Sequence, residues 1–349
     1  MNTTPSYQTT TTIPDPVWDG FVHNEPTAHF LQSAAWGTAK AKWGWSARRV
    51  AVKREGILAA GAQVLFRSLP LGRSIAYIPR GPVVADDDPQ LLKALLDEVH
   101  RVSKTEGALL LSVEPNWAQP TNGAEQLKQL GFRESQNTIQ PSATIMLDIR
   151  PSEKEIMAQM HKKWRYNIRL SGRKEVTVRI GNEEDIDTFF KLTNITGQRN
   201  EFGTRPKAYY KDVWRAFGDN ACLLIAEYEK KPLASIMVVK TGKTATYLYG
   251  ASSNEERNRM PNHALQWAGI QWGRDAGCDW YDFWGIPPEV PDDGKVEEFG
   301  TGGLWGVFRF KQGFGGQVVK YPGALDYVYS RIAYFAYQKY QEWRAREAH

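Results

Sequence analysis

The stretch that decides the fold spans residues 222–250 and reads CLLIAEYEKKPLASIMVVKTGKTATYLYG. Its apolar, β-branched runs are separated by polar residues such as Lys230 and Lys231, which is typical of strands joined by tight turns. In order, the predicted elements are strands at 222–229, 233–240 and 244–249, a helix at about 262–275 and a strand at 279–284. This order predicts an antiparallel meander followed by a helix and a parallel strand.

The first half of the chain repeats this order. Its predicted elements are strands at 48–54 and 58–67, a strand that ends at residues 77–81, a helix at about 89–103 and a strand at 108–113. The glycine that ends the third strand and the glycine that ends the helix lie 26 residues apart in the first half (Gly81, Gly107) and 27 apart in the second (Gly250, Gly277). We interpret the chain as a duplicated α/β unit, with two unrelated α/β domains as the alternative.

Length and composition agree with this division. At 349 residues the chain is long enough for about two domains, each with its own core. Hydrophobic residues make up 42% and charged residues 24%, which excludes wholesale disorder. Lysine and arginine number 44 against 39 aspartates and glutamates, and the resulting net charge of +5 suits an anionic partner.

A reduced cytoplasm is the default compartment for this sequence. Two cysteines, Cys222 and Cys278, are too few for a disulfide framework or a four-thiolate zinc site. Residues 1–13 are threonine-rich and lack the basic start and apolar run of a signal peptide. No later stretch reaches the roughly 18 apolar residues that span a bilayer. We therefore expect a cytoplasmic protein.

The sequence lacks the motifs of several standard chemistries. Acyltransferases that use coenzyme A bind its pyrophosphate on a glycine-containing turn before a helix, but residues 257–262 contain no glycine and residues 86–89 are acidic. The six histidines show no metal-ligand spacing, and there is neither a Gly-x-Ser-x-Gly elbow nor a Walker loop. The sequence therefore predicts no coenzyme A, no metal and no other cofactor.

The most informative candidate lies at residues 306–316, where Lys311 follows Phe310 and precedes a glycine-rich turn. A lysine held between aromatic side chains can present a positive charge to a developing oxyanion or to a phosphate. The alternative interpretation is a strand edge with a solvated lysine and a hairpin turn.

Two further clusters mix cations with aromatic side chains. They are Gln32, Trp36 and Lys40 in the first half, and Arg205 with Tyr209 and Tyr210, after residues 196–202, in the second. The first three lie four residues apart, which predicts one stripe of a helix, and docking of the tryptophan in the core explains the spacing equally well. The second combination is typical of anion-binding pockets and also of helix ends.

A basic segment separates the two halves. Ser152 and Glu155 form a Ser-x-x-Glu capping box, after which apolar residues recur at four-residue steps and predict a helix within residues 151–174. Six cations lie in its distal part: Lys162, Lys163, Arg165, Arg169, Arg173 and Lys174. A solvated face of a linker helix is the simplest interpretation of this charge.

An ordered series of motifs identifies the family that the chain resembles. The motifs are residues 30–33 with Trp36, residues 79–82, Gln140-Pro141 with Thr144, residues 165–169, 249–252, 281–286 and 310–315. Together they resemble the FemABX family of non-ribosomal peptidyltransferases over nearly the whole chain. The resemblance implies an α/β (α+β) fold of two tandem GNAT-like acyltransferase domains, with a C-terminal helix that packs back on the first domain and no coiled-coil arm. The implied division is a flexible arm at 1–16, domain 1 at 17–150 plus 323–349, and domain 2 at 151–322.

The resemblance also implies an activity. Members transfer an aminoacyl group from aminoacyl-tRNA to a stem-peptide amine of a peptidoglycan precursor, UDP-MurNAc-pentapeptide or lipid II, and so build the interpeptide bridge. The donor ester is already activated on the tRNA, so no ATP, cofactor or metal is implied. A duplicated acyltransferase-like unit, the missing coenzyme A loop and the basic excess all agree with this activity.

Residue roles follow from the same resemblance. Lys40 and Arg205 resemble ligands of the precursor's phosphates, Tyr209 and Tyr249 resemble polar walls of the same cleft, and Trp36 belongs with this substrate-binding group. Lys311, with Phe310, resembles the group that holds the tRNA end and stabilises the oxyanion. Lys162, Lys163, Arg165 and Arg169 are the candidates for contact with the tRNA backbone. Some members carry an Asp where this chain has Glu114, so we expect substrate-assisted proton loss rather than a general base in the first domain.

Two other functions stay open at this point. One is an acyltransferase with another donor, such as an acyl-CoA or a carrier protein, and the other is an inactive RNA-binding scaffold with the same fold. The transferred amino acid and the form of the acceptor are not fixed by the sequence. A basic surface suits peripheral contact with the inner face of a membrane as well as tRNA. The oligomeric state is also open, with a monomer expected.

Overall fold

The computed structural model describes residues 6–200, 203–296, 300, 303–332, 334–336 and 339. It divides into two compact units. Unit 1 comprises Met1–Gln140 and Tyr321–His349, and unit 2 comprises Pro141–Lys320. Within the described ranges, no helix has the length and apolar character needed to cross a bilayer.

The strands carry both units. In chain order they are β1 (Tyr7–Thr10), β2 (Trp45–Arg54), β3 (Ile57–Leu69), β4 (Arg73–Pro79), β5 (Val83–Val84), β6 (Ala108–Glu114), β7 (Arg133–Glu134), β8 (Ala143–Asp148), β9 (Thr177–Ile180), β10 (Ala221–Tyr228), β11 (Lys231–Thr241), β12 (Thr244–Ser252), β13 (Trp280–Asp282), β14 (Gln317–Lys320) and β15 (Leu325–Val328). They form one sheet in each unit.

The helices cover and connect these sheets. In chain order they are α1 (Asp15–Asn24), α2 (Ala34–Ala41), α3 (Pro89–Thr105), α4 (Gly123–Gln129), α5 (Glu153–Gln159), α6 (Lys162–Arg173), α7 (Asp185–Arg199), α8 (Lys207–Phe217), α9 (Pro261–Asp275) and α10 (Trp305–Gln312). Short 3-10 turns occupy Phe30–Gln32, Gly218–Asn220 and Arg257–Arg259.

In unit 1 the sheet runs in the order β1-β2-β3-β4-β6-β15-β7, with β5 paired to β3. Neighbours are antiparallel except β4 and β6, which are parallel because α3 carries the chain back between them. The Asp88 carboxylate caps α3 by accepting from the amides of Gln90 and Leu91. Leu91, Leu95 and other apolar residues on one face of α3 then pack into the core against the sheet.

In unit 2 the sheet runs in the order β14-β8-β13-β12-β11-β10-β9. Strands β10, β11 and β12 form an antiparallel meander, and β12 and β13 are parallel, with α9 between them in the chain. The core beneath α9 contains Leu265, Ile270 and Tyr281, which are all fully buried. Both units therefore have the predicted order of meander, helix and parallel strand, and the predicted tandem α/β architecture is confirmed.

Of the expected flexible arm at 1–16, residues 1–5 lie outside the described residues, and the part from Tyr7 onward differs from the expectation. Strand β1 pairs antiparallel with β2, from Tyr7 opposite Arg54 to Thr10 opposite Ala51, and α1 begins at Asp15. The Tyr7 hydroxyl also donates to Asp88 at 2.5 Å. Backbone pairing therefore holds a polar segment whose composition alone predicts mobility.

The unit boundaries also lie elsewhere than expected. We expected divisions at 150/151 and 322/323, whereas the units divide after Gln140 and after Lys320. The first shift arises because β8 pairs with β13 and β14, and so belongs to the sheet of unit 2. At the other end, β15 returns the chain to unit 1 by pairing with β6 and β7.

The expected C-terminal helix lies partly outside the described residues, which exclude 340–349. In the described part, Tyr334 is buried, its hydroxyl donates to Asp326 at 3.0 Å, and Arg133 stacks on its ring at 4.2 Å. These contacts are internal to unit 1.

The linker segment forms two helices rather than one. Ser152 and Glu155 make the predicted capping box at the start of α5. Met160 is extended, with ψ of 150°, and ends that helix. The ring of His161 then caps α6 by accepting from the amide of Lys163 at 3.3 Å. The cations of α6 thus lie on a short helix of their own.

Candidate active site

Lys311 lies near the end of α10, so the interpretation of its segment as a strand edge with a hairpin is wrong. The side chain is 4% exposed, and its ammonium donates to the carbonyl oxygens of Trp284 at 2.5 Å and Gly285 at 2.7 Å. Burial lowers the pKa of Lys311 to about 7, and the Asp282 carboxylate opposes that shift. The residue can therefore gain or lose its charge near neutral pH.

The carbonyls that hold Lys311 belong to a turn directly after β13. Trp284 has φ of 57°, a left-handed conformation that costs about 1–2 kcal/mol for a bulky residue. Asp282 supports this turn, because its Oδ1 accepts from the Trp284 amide at 2.8 Å and from the Thr144 hydroxyl. The turn is thus fixed by a buried carboxylate and aims two backbone oxygens at one cation.

Aromatic rings surround the residue before the lysine. Phe310 packs edge-on against His263 at 5.2 Å and Phe314 at 5.2 Å between ring centroids. The Trp164 indole nitrogen donates to the Phe310 carbonyl at 2.9 Å. Burial lowers the pKa of His263 to about 4, so this ring is neutral at pH 7. The helix that bears Lys311 is therefore anchored by α6 and α9.

A second cluster in unit 2 brings together four residues that the sequence singled out. The Arg205 guanidinium lies 5.6 Å from the centre of the Tyr209 ring, and the Arg205 amide donates to the Tyr210 hydroxyl at 3.2 Å. Tyr249 on β12 packs edge-on against Tyr210 at 5.3 Å. Burial, followed by the neighbouring Tyr209, raises the pKa of Tyr249 well above its usual value. The cluster offers a cation and neutral phenols to an anionic ligand.

The first-half candidates lie in unit 1. Ser33 caps α2, so Gln32 belongs to the 3-10 turn before that helix and the expected three-residue helical stripe is wrong for it. Trp36 is buried on α2, and the Lys40 ammonium lies 5.4 Å from the centre of its ring and 5.7 Å from that of Trp45. Lys40 and Arg205 are thus placed in different units, and their joint role stays a prediction.

Glu114, at the end of β6, is buried and hydrogen-bonded to three groups, which its sequence context does not indicate. It is 2% exposed and accepts from the Tyr77 hydroxyl and the backbone amides of Ile139 and Gln140. Burial raises the pKa of Glu114, and these hydrogen bonds oppose the shift. Asp282 likewise ends the strand that pairs parallel in unit 2. A buried carboxylate therefore ends the parallel strand in each sheet.

Only some of the cations of helix α6 are exposed to solvent. Lys162, Lys163 and Arg169 are exposed, whereas Arg165 donates to the carbonyls of Ala158 and Met160, both at 3.0 Å. A cavity of about 530 Å³ adjoins the helix. It is lined by Glu153, Lys154, Met157, Ala158, Arg165, Arg169 and Trp267.

Four residues of this architecture were given no role by sequence reasoning: Trp164, His263, Asp282 and Trp284. Asp282 and Trp284 lie in the motif at 281–286, which carried the family resemblance without a stated function. The signal for Trp164 is weaker, because its four-residue spacing from Met160 predicts only a core position.

The sequence matches the FemAB family over residues 13–231 and again over 224–342. The chain belongs to the FemAB family. Together the two matched segments cover most of both units.

FemAB relatives span most of the chain. The lipid II:glycine glycyltransferase of Staphylococcus aureus strain MRSA252 is 28% identical over 394 aligned residues, which cover 90% of this chain and 92% of the relative. The crystal structure of FemX superposes with a TM-score of 0.85 at 26% identity, covering 94% of this chain and 99% of FemX. These similarities confirm the predicted enzyme class, an aminoacyltransferase.

A more distant likeness concerns the fold alone. A tandem GNAT protein from the clavulanic acid biosynthesis pathway superposes with a TM-score of 0.53 at 11% identity. The match covers 93% of this chain and 98% of that protein. The FemAB chain therefore has the predicted tandem GNAT-like architecture.

Proposed function

We propose that this protein transfers an aminoacyl group from aminoacyl-tRNA to an amine on the stem peptide of a peptidoglycan precursor. The observation that carries the proposal is the buried ammonium of Lys311, which two backbone carbonyls of the turn after β13 hold in place. The helix that bears this lysine is anchored by Trp164. The likeness to a relative named as a lipid II:glycine glycyltransferase supports peptidoglycan bridge synthesis as the setting.

The reaction that suits this site is displacement at an ester carbon. The neutral acceptor amine attacks the carbonyl carbon of the aminoacyl ester, a C–N bond forms, and the carbonyl oxygen becomes an oxyanion. The bond to the ribose oxygen then breaks, and the proton lost by the amine passes to that oxygen. The products are an amide and a tRNA with its hydroxyl restored, so the step needs no other co-reactant.

Lys311 is assigned to the oxyanion. An ammonium has three N–H donors, and the carbonyls of Trp284 and Gly285 take two of them. The third donor is the one that meets the developing charge. A fixed cation in a site of low polarity stabilises such charge far more than it would in water. Much of the remaining rate would come from holding the two large substrates together.

The acceptor's phosphates are assigned to the arginine–tyrosine cluster of unit 2. Arg205 supplies a cation, and Tyr209 and Tyr249 supply hydroxyls that stay protonated because their pKa values are raised. In unit 1, Lys40 beside Trp36 is the second cation for the precursor. Lipid II and its nucleotide-linked counterpart both carry phosphates, so these residues suit either acceptor.

The test of the function is a transfer assay with the full-length protein. Each of a panel of radiolabelled aminoacyl-tRNAs is combined with UDP-MurNAc-pentapeptide or lipid II, and the label on the peptide is counted. We expect at least one tRNA to support transfer. Transfer from an acyl-CoA alone would replace the proposed donor, and RNA binding without transfer from any donor would favour the scaffold.

The exposed cations of α6 are proposed to contact the tRNA backbone. Reversing both Lys162 and Lys163 to Glu should raise the KM for aminoacyl-tRNA about tenfold or more at low salt. It should also reduce the magnitude of the slope of log affinity against log salt concentration by about 1.5. Each phosphate contact that is lost means that fewer counterions are released on binding. Fluorescence anisotropy with labelled tRNA measures the salt slope, and the transfer assay at varied aminoacyl-tRNA concentration measures the KM.

A matched control is available on α3 of unit 1. Lys93→Glu combined with Lys104→Glu makes the same change of net charge at two exposed positions. We expect that control to leave the salt slope within about 0.3 of the wild-type value. Equal effects of the two double variants would mean that only net charge matters and would remove α6 from the proposal.

A further inference from the structure

Asp282 is a buried carboxylate that the transfer mechanism does not use. It is 2% exposed at the end of β13, and its Oδ1 accepts from the Trp284 amide at 2.8 Å and from the Thr144 hydroxyl. Burying a carboxylate is costly even when it is hydrogen-bonded. A leucine or an asparagine at the end of the strand would cost less free energy to bury, so the negative charge itself needs an explanation.

The geometry links this carboxylate to Lys311 in two ways. Its hydrogen bond to the Trp284 amide holds the left-handed turn, and that turn presents the carbonyls of Trp284 and Gly285 to the ammonium. Its negative charge also favours the protonated form of the lysine, against the burial that disfavours it. One side chain therefore acts on both the position and the charge of the lysine.

Three of the described titratable groups near Lys311 are uncharged at neutral pH. Tyr247 on β12 faces the ammonium with its ring centre 5.8 Å away, and burial raises its pKa to about 12. Tyr281 on β13 has its pKa raised well above the usual value by burial. His263 on α9 neighbours Phe310, and burial lowers its pKa to about 4. Among these described neighbours, the charge that supports the lysine comes from Asp282.

We propose that Asp282 is a positioning residue that keeps Lys311 cationic and fixes the turn that holds it. The inference rests on the proposed role of Lys311 in transfer, but its effect on the ionisation of that lysine is independent of any substrate. Without the carboxylate, the lysine would be neutral over more of the physiological pH range and would counter an oxyanion only at lower pH.

Asp282→Asn tests the charge while keeping the shape. The amide oxygen can still accept from the Trp284 amide and the Thr144 hydroxyl, so we expect the turn to persist. The ionisation of Lys311 is followed by NMR in full-length protein labelled with ¹³Cε-lysine, with the signal assigned by its absence in Lys311→Met. The titration midpoint of the wild type is expected at about 7. In Asp282→Asn it should lie lower by about 1 pH unit, as loss of one nearby opposite charge predicts.

The kinetic readout should follow the same midpoint. The alkaline limb of kcat/KM should move down in pH by the same amount, while the KM of the precursor changes by less than about twofold. Asp326→Asn is the matched control, because Asp326 is a buried aspartate of unit 1 that accepts from Tyr334. That control should leave the Lys311 midpoint where it is in the wild type.

The outcomes separate this inference from the proposed function. An unchanged Lys311 midpoint in folded Asp282→Asn overturns the inference, whatever the activity. If the midpoint is shifted in Asp282→Asn but the wild-type protein transfers no aminoacyl group, the link between the two residues is upheld and the proposed function is refuted instead. Should Asp282→Asn fail to fold, Thr144→Val keeps the charge and removes one hydrogen bond. Its midpoint should then stay at or above the wild-type value, and a downward shift would contradict the inference.

Discussion

Replacement of Lys311 by Met should reduce the rate of aminoacyl transfer by about 10²–10³-fold, the usual cost of losing one oxyanion-stabilising donor. The KM values for both substrates should change by less than about threefold, because the lysine is assigned to charge that appears only in the transition state. Single-turnover transfer with saturating aminoacyl-tRNA measures the loss directly. Arg309→Met removes an exposed cation from the same helix and should leave the rate within about twofold.

The same substitution should change how stability depends on pH. The pKa of Lys311 is about 7 in the folded protein and 10.5 in the unfolded chain, so the unfolded chain binds the proton more tightly between these values. The free energy of unfolding of the wild type therefore rises with pH across this window, by about 4 kcal/mol from this one group. Lys311→Met lacks that contribution.

Denaturant unfolding of both proteins from pH 7 to pH 10.5 checks the sign. The free energy of unfolding of the wild type relative to Lys311→Met should increase steadily as the pH rises. A difference that does not vary with pH would mean that the buried amine keeps an ordinary pKa. A full rate in Lys311→Met would remove the lysine from the mechanism.

Gly313→Ala should lower both the stability of the protein and the rate of transfer. A Cβ at Gly313 would overlap the ring of Trp164, whereas its backbone conformation, with φ of −67°, suits any residue. The indole would have to move and would lose its hydrogen bond to the Phe310 carbonyl. We expect a loss of about 1–3 kcal/mol in the free energy of unfolding, as for overpacked cores, and a fall of about 50-fold or more in transfer rate.

Gly306→Ala is the matched control on the same helix. A Cβ there meets nothing within 4 Å, and alanine favours a helix over glycine by up to about 1 kcal/mol. Its stability should therefore stay the same or rise, with the rate unchanged. A second change, Trp164→Phe, should restore part of the stability of Gly313→Ala but not the rate, because phenylalanine has no N–H donor. Recovery of the rate as well would show that the indole only fills space.

Much of the fold could be predicted from local patterns. The strand predicted at 222–229 (β10, Ala221–Tyr228) follows from its run of apolar residues and the polar turn after it. The helix α9 (Pro261–Asp275) follows from its apolar residues and from Gly277 beyond its end. The pairing of the strands could not be predicted from local patterns. The alternation in β8 suits either sheet, and its pairing with β13, more than 130 residues later, is settled only when the cores assemble.

The site was predictable in its residue types but not in its contacts. Lys311 and Phe310 stood out as a cation beside an aromatic ring in a glycine-rich segment, although propensity did not reveal that the segment is helical. The partners of Lys311 are backbone carbonyls, and such atoms leave no trace in a sequence. The role of Asp282 was hidden for the same reason, because it acts through the amide of Trp284.

The place of β15 bears on how the chain is made. This strand lies between β6 and β7, yet all of unit 2 precedes it in the sequence. A ribosome that has released residues 1–140 has therefore not yet produced the strand that joins these two neighbours. An incomplete sheet edge invites pairing with foreign strands, so the nascent protein would need shielding, by a chaperone for example, until translation is nearly finished.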